Sequence, residues 1–155
     1  MIRVIDQALL AEVVAEAKVA PRGRKNRNFH PRDDYPAHRL LNAIEPGSYV
    51  MPHRHLDPLK DETMVCLAGR LGLVFFDASG AVQNTLVAAP GSDLLGVDIP
   101  HGVFHSVLAL ESGTVFLEAK SGPYLPLLDA EKASWAPEEN TPEAVLYLQK
   151  LRGLF

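Results

Sequence analysis

The sequence predicts a mainly β protein, an antiparallel sandwich or barrel with one helix before it and one after it. Three observations carry that expectation. Between residues 37 and 120, short apolar segments recur at near-regular spacing. Turn signals separate them, such as "DASG" at 77–80 and "ESG" at 111–113, while Gly47, Gly69, Gly91 and Gly96 mark bends or bulges. The two flanks instead carry apolar residues at helical spacing.

The first helix is expected over residues 6–18. Asp6 is placed to cap it, Leu9, Leu10, Val13, Val14 and Ala17 form its apolar stripe, and Pro21 and Gly23 stop it. Residues 26–36 read as loop. Strands are expected near 38–45, 48–55, 63–76, 81–88, 93–99, 103–111 and 114–120. Residues 121–140, with Gly122, Pro123, Pro126 and Pro137, read as irregular chain, with Trp135 pinning it to the barrel. The last helix begins with Thr141 as cap, Pro142 at its first position and Glu143 at the positive end of its dipole. Ala144, Val145, Leu148 and Leu151 give it an apolar side, and Gly153 ends it. The parts compose a single domain over 1–155: an N-terminal helix and basic segment (1–36), a barrel (37–120), and a C-terminal loop and helix (121–155).

Composition narrows the function classes. At 155 residues the chain suits one sizeable core, and its 47% hydrophobic and 22% charged residues are those of a globular protein. No apolar run reaches the length of a membrane span, and the N-terminal segment, with Asp6 and Glu12, does not read as a signal peptide. A single cysteine, Cys66, rules out an internal disulfide framework and suits a reducing cytoplasm; mid-strand, it reads as a buried small hydrophobe. A net charge of −4 does not favour nucleic acid. Between residues 22 and 32, however, lie Arg22, Arg24, Lys25, Arg27 and Arg32 with no acid among them. They are either a solvated basic loop or a surface that steers a phosphorylated substrate. Neither a G-x-S-x-G nucleophile turn nor a phosphate-binding loop occurs.

The strongest chemical signal is "MPHRH" at 51–55. In a strand, His53 and His55 would face the same way, about 6.5 Å apart along the backbone, close enough to converge on one ion. Further donors follow: Glu62, then Pro100, Gly102 and His105 as P-x-G-x-x-H at a strand start. Three imidazoles and a carboxylate from separate elements make a set suited to a first-row metal.

These residues resemble the two motifs of the cupin superfamily, G-x5-H-x-H-x(3,4)-E-x6-G and G-x5-P-x-G-x2-H-x3-N. Gly47, His53, His55, Glu62 and Gly69 fall on the first; Pro100, Gly102 and His105 fall on the second. Six residues separate His55 from Glu62, three and eight residues separate Gly96 and Gly91 from Pro100, and Ala109 replaces the final Asn. The resemblance implies a double-stranded β-helix, a jelly-roll barrel, with one divalent ion (Zn, Fe, Mn, Ni or Co) held by His53, His55, Glu62 and His105. The chain is also similar to the WbuC-type cupin metalloproteins found with bacterial O-antigen and other surface-polysaccharide genes. That likeness rests on Asn28-Phe29-His30, on "RLLNAIEPGSYVMPHRH" from Arg39, on "KDE" at 60–62 and on "EAKSGPY" at 118–124.

Other residues have two readings each. Glu118 and Lys120 share one face of the last strand, either lining a cavity or pairing outside it. Lys60 is either a solvated loop lysine or a proton-transfer group beside the ligand loop, and Glu118 is the second candidate for catalysis. His30, Asn28 and Arg39 enter as substrate-binding candidates only through the family likeness, with Lys120 and, as pocket wall or core, Tyr49. Arg54 should point away from the metal, and His101 should be exposed. The expected function is a metal-dependent enzyme, an isomerase or dioxygenase, acting on a small polar molecule such as a sugar or nucleotide-sugar in polysaccharide metabolism. The alternative is a non-catalytic ligand-binding or regulatory cupin with a structural or ligand-anchoring metal. The expected partners are a small-molecule ligand and a second copy of the chain as a homodimer, since such barrels expose strand edges; neither nucleic acid nor membrane is expected.

Overall fold

A computed structural model describes residues 1–155. Helix α1 spans Gln7–Val19, and Leu9 donates its backbone N–H to Asp6 Oδ1 at 2.9 Å. Its buried residues, Leu10, Val13 and Ala17, lie one helical face apart and pack on Leu41, Ala43 and Val115. Strands β1 (Arg24–Asn28), β2 (Ala37–Ile44), β3 (Glu62–Ala68), β4 (Leu71–Phe76), β5 (Val82–Ala88), β6 (Gly96–Ile99), β7 (Phe104–Ala109) and β8 (Thr114–Ser121) follow. They form a five-stranded antiparallel sheet in the order β1-β2-β8-β3-β6 and a three-stranded one in the order β5-β4-β7. Helix α2 (Pro142–Arg152) is capped by Thr141, whose Oγ1 accepts from Ala144 N at 3.2 Å.

Burial shows how these layers stack. Ile44, Met64, Cys66, Ile99 and Phe116 of the larger sheet meet Leu71, Leu73, Ala88, Val107 and Ala109 of the smaller one in one core. Because strand side chains alternate, Val74, Phe76 and Leu108 point out of the smaller sheet, where Ala144, Leu148 and Leu151 of α2 cover them. Trp135 packs there against Phe76 and Phe104, with ring centroids at 4.9 and 5.9 Å. The result is a jelly-roll sandwich with α1 on one outer face and α2 on the other. No helix is long and apolar enough to cross a membrane. Leu73, 1% exposed between the sheets, has no route for collapse if truncated. Leu73→Ala is expected to cost about 2–5 kcal/mol by urea denaturation; an unchanged midpoint would show that the inter-sheet core is not what holds the sandwich together.

Three boundaries differ from the sequence expectation. The span 63–76 is two strands, not one: at Gly69 (φ +71°) the chain turns and passes from one sheet to the other. A side chain is excluded there, since a Cβ would stand 2.5 Å from Thr114 Oγ1. Residues 48–55 are not a regular strand. Pro52 lacks an N–H to donate, and the segment is held by single bridges on each side, His53 to His105 and His53 to Lys132. The basic stretch expected as loop contains β1. It has no apolar alternation to announce it, and its order comes from backbone pairing with β2 and from ion pairs.

Those ion pairs also correct the picture of a free basic surface. Arg22 and Arg24 both reach Glu139, at 3.0 and 2.7 Å. Lys25 meets Glu16 at 3.7 Å, Arg27 meets Glu12 at 3.6 Å and also Glu16, and Arg32 pairs with Asp34. The acids missing from the local sequence arrive from α1, from the C-terminal segment and from the next residues along, so a steering field from this stretch is largely cancelled at close range.

Candidate metal centre

The segment carrying His53 and His55 is clamped from two directions. On one side His53 N donates to His105 O at 3.0 Å and His105 N returns to His53 O at 2.9 Å. On the other, Arg54 N donates to Glu131 O at 2.9 Å and Ala133 N to Pro52 O at 3.0 Å. Glu131, buried, accepts from Leu56 N and Leu128 N through its two carboxylate oxygens, at 2.9 and 2.8 Å. Burial opposes ionisation of Glu131, but these amide donors outweigh it and hold its carboxyl below the usual range. Arg54 turns outward, its guanidinium 4.4 Å from the Phe104 ring centroid.

The imidazoles therefore converge. Ring centroids lie 5.4 Å apart for His53 and His55, 4.7 Å for His53 and His105, and 6.4 Å for His55 and His105. Ligand atoms of His53, His55 and Glu62 all lie within 4.8 Å of one another, and Glu62 Oε1 is 2.7 Å from His105 Nε2 and 3.5 Å from His55 Nε2. His53 Nδ1 faces Met51 O at 3.0 Å and His105 Nδ1 faces Val103 O at 2.9 Å. A carbonyl only accepts, so each Nδ1 carries a hydrogen and each ring turns its Nε2 to the centre. His55 Nε2, His105 Nε2 and Glu62 Oε1 are all buried without a hydrogen-bond partner. Lone pairs this close to a carboxylate oxygen repel unless a cation lies among them. This donor set, with His53 and His105 oriented from behind by backbone carbonyls, fits a divalent first-row ion.

Electrostatics agree with that arrangement. Burial, and next the nearby His105, push the His53 imidazole down to about 3, so it is neutral at ordinary pH. Glu62 is 2% exposed. Burial alone would raise its carboxyl, but the close approach of His105 and His55 and the charge of Lys120 hold it well below the usual range.

Above the donors opens a cavity of about 410 Å³. Lys120 and Glu118 do face it: Lys120 Nζ stands 2.6 Å from Glu118 Oε1 and 3.6 Å from Glu62 Oε2, and Asn42 Nδ2 donates to Glu118 Oε2 at 2.8 Å. Burial disfavours the Lys120 charge, but Glu118 and Glu62 more than offset it and raise the ammonium above its ordinary value. Lys60 lies at the rim, donating to Pro123 O at 2.8 Å.

Four candidates lie elsewhere. On β2 the even positions face the cavity, so His38 and Asn42 line it while Arg39 points outward against Tyr35, 5.7 Å from its ring centroid. His30 is stacked on His38, centroids 3.9 Å apart, behind the wall. Asn28 is exposed on β1, its carbonyl accepting from Arg3. Tyr49 packs under α2 and donates its hydroxyl to Pro137 O at 2.9 Å. Sequence reasoning missed His38, Asn42 and the rim residues Tyr124, Leu125 and Leu127. The shared parity of His38 and Asn42 with Leu40 and Ile44 was the available signal. His101, expected to be exposed, is 43% exposed at its side chain and pairs with Asp61 at 2.8 Å.

Comparisons with known proteins bear on the fold. A family model described as a domain of unknown function (DUF6016) matches residues 5–88. No curated protein matches the chain. KdgF from Halomonas sp. superposes with a TM-score of 0.52 at 18% identity, over 69% of this chain and 85% of that one. A conserved protein of unknown function from Streptococcus pyogenes gives 0.53 at 16% identity, over 79% and 90%. A variant of B. subtilis oxalate decarboxylase gives 0.50 at 20% identity, over 65% of this chain but only 26% of that one. At these identities the likeness is one of architecture, and the architecture is the cupin jelly roll.

Proposed function

From the premise that the chain belongs to the DUF6016 family, whose description assigns no activity, we propose that it is a metal-dependent enzyme acting on a small polar molecule. One observation carries this reading: three buried donor atoms without partners, on His55, Glu62 and His105, meet beside His53 at the floor of an open cavity. His53, His55, Glu62 and His105 would hold one divalent ion. When bound, such an ion supplies Lewis acidity to a substrate oxygen, or redox chemistry if it is iron, which corresponds to an isomerase or a dioxygenase. The chain's own groups do the rest. The cavity walls shed water from a bound molecule, while Lys120, Glu118 and Lys60 stand where they can hold or move a proton on it. The motif likeness to WbuC-type proteins favours a sugar or nucleotide-sugar in surface-polysaccharide metabolism; the single cysteine favours a cytoplasmic setting and the strand edges of such a barrel a homodimer.

A second reading has one observation in its favour. Both oxygens of Glu118 are already engaged, by Lys120 and Asn42, so Glu118 is not a free base toward the cavity. That suits a ligand-binding cupin whose metal anchors its ligand without turnover. Elemental analysis of the purified protein beside a His53→Ala/His105→Ala variant tests the shared foundation. About one ion per chain in the parent, lost in the variant, is expected. Negligible metal in both, even after loading with each candidate ion, would overturn the metal reading; with the ion present, turnover of sugar substrates separates enzyme from binding protein.

A further inference from the structure

Glu62 has two oxygens with opposite surroundings. Oε1 turns to His105 and His55, and Oε2 turns to Lys120, 3.6 Å away. Lys120 is itself fixed from behind: Glu118 holds its ammonium at 2.6 Å, and Asn42 holds Glu118. Strand pairing enforces the arrangement, since β8 runs between β2 and β3, with Lys120 opposite Glu62 on one side and Glu118 opposite Leu40 on the other. We propose that Lys120 is a positioning residue that engages Oε2 of Glu62 and so restricts this carboxylate to a single oxygen toward the metal. A carboxylate free of such a partner can swing both oxygens onto an ion. With Lys120 in place, four protein donors leave roughly two positions of an octahedral ion for water or substrate; with both Glu62 oxygens bound, roughly one remains. Lys120 thus sets how much of the ion is open to the cavity without touching the ion itself.

The inference rests on the metal reading above, and its test distinguishes the two. The protein is loaded with Mn²⁺, the bound ion is counted, and water-proton relaxivity reports its exchangeable water. Lys120→Met combined with Glu118→Gln removes the tether without stranding an unpaired carboxylate, and Lys120→Arg restores the charge. The expected result is stoichiometric Mn²⁺ in all three proteins, with relaxivity about twofold lower in the double variant and near the parent value in Lys120→Arg. Equal relaxivity in parent and double variant would overturn the proposal while leaving the metal site standing. So would loss of Mn²⁺ from the double variant alone, which would make Lys120 a determinant of affinity. A parent that takes up no Mn²⁺ would overturn both readings together.

Discussion

Metal-free protein is expected to lose between about 2 and 5 kcal/mol of folding stability as pH falls from 6.5 toward 3. The cause is His53. Its folded pKa is about 3 because burial, and then His105, disfavour the imidazolium, whereas the unfolded chain protonates near its ordinary value of about 6.5. Above pH 6.5 both states hold a neutral ring and the residue contributes nothing. Below it the unfolded state binds a proton that the folded state refuses, so each pH unit costs up to about 1.4 kcal/mol until the folded value is reached. His38, depressed by burial and by His30, acts in the same direction. Glu62 adds its own loss as pH falls below its ordinary unfolded value toward its depressed folded one. Urea denaturation of chelator-treated protein at pH 7, 5.5 and 4.5 measures the slope, and His53→Asn should flatten it. Parallel stabilities for parent and variant across that range would refute the assignment.

Gly96→Ala is expected to destabilise the protein by more than about 3 kcal/mol, at the upper end for an inserted methyl group. Gly96 opens β6 opposite Val65, and its φ is one that any residue adopts, so conformational strain is not the reason. The reason is contact: a Cβ would lie 2.0 Å from the Met64 carbonyl oxygen and 2.9 Å from Val65 Cα, both backbone atoms that cannot rotate away. Relief requires β6 to lift off β3. That separation breaks the Glu62–Ile99 pairing and draws Ile99, 2% exposed, out of the inter-sheet core. Metal uptake should therefore fall along with the denaturation midpoint. Gly47→Ala is the control, since open space surrounds that position; an equal loss from both variants would mean that the close approach at Gly96 is not what matters.

The β-rich middle, its two flanking helices and the donors at 53, 55, 62 and 105 were legible because each left a local trace: alternating apolar residues, capping residues, or histidines at a telling interval. What escaped had only non-local causes. Strand β1 has five polar residues and is ordered by β2 beside it and by acids from distant segments, so nothing within 24–28 announces it. Gly69 read as a bend or bulge but not as a strand end, because apolar residues continue across it; its φ of +71° and Thr114, far along the chain, both demand a glycine there. Arg39 and His30 entered through a motif that records neighbours in sequence, while strand parity and the stacking of His30 on His38 decide which side of the wall each occupies.

The donors are divided between the two leaves of the sandwich. Glu62 belongs to the larger sheet and His105 to the smaller, and His53 is separated from His105 by four intervening strands. An ion bound there would act as a rivet through both leaves, yet it would be the last part fitted. Three of the four donors lie within residues 53–62, but His105 joins them only through the long-range pairings between strands, which are the slow ones in folding. Once those pairings are made, each hundredfold excess of metal over its dissociation constant would add about 2.7 kcal/mol to the assembled state. The melting temperature would then record how much metal the surroundings supply.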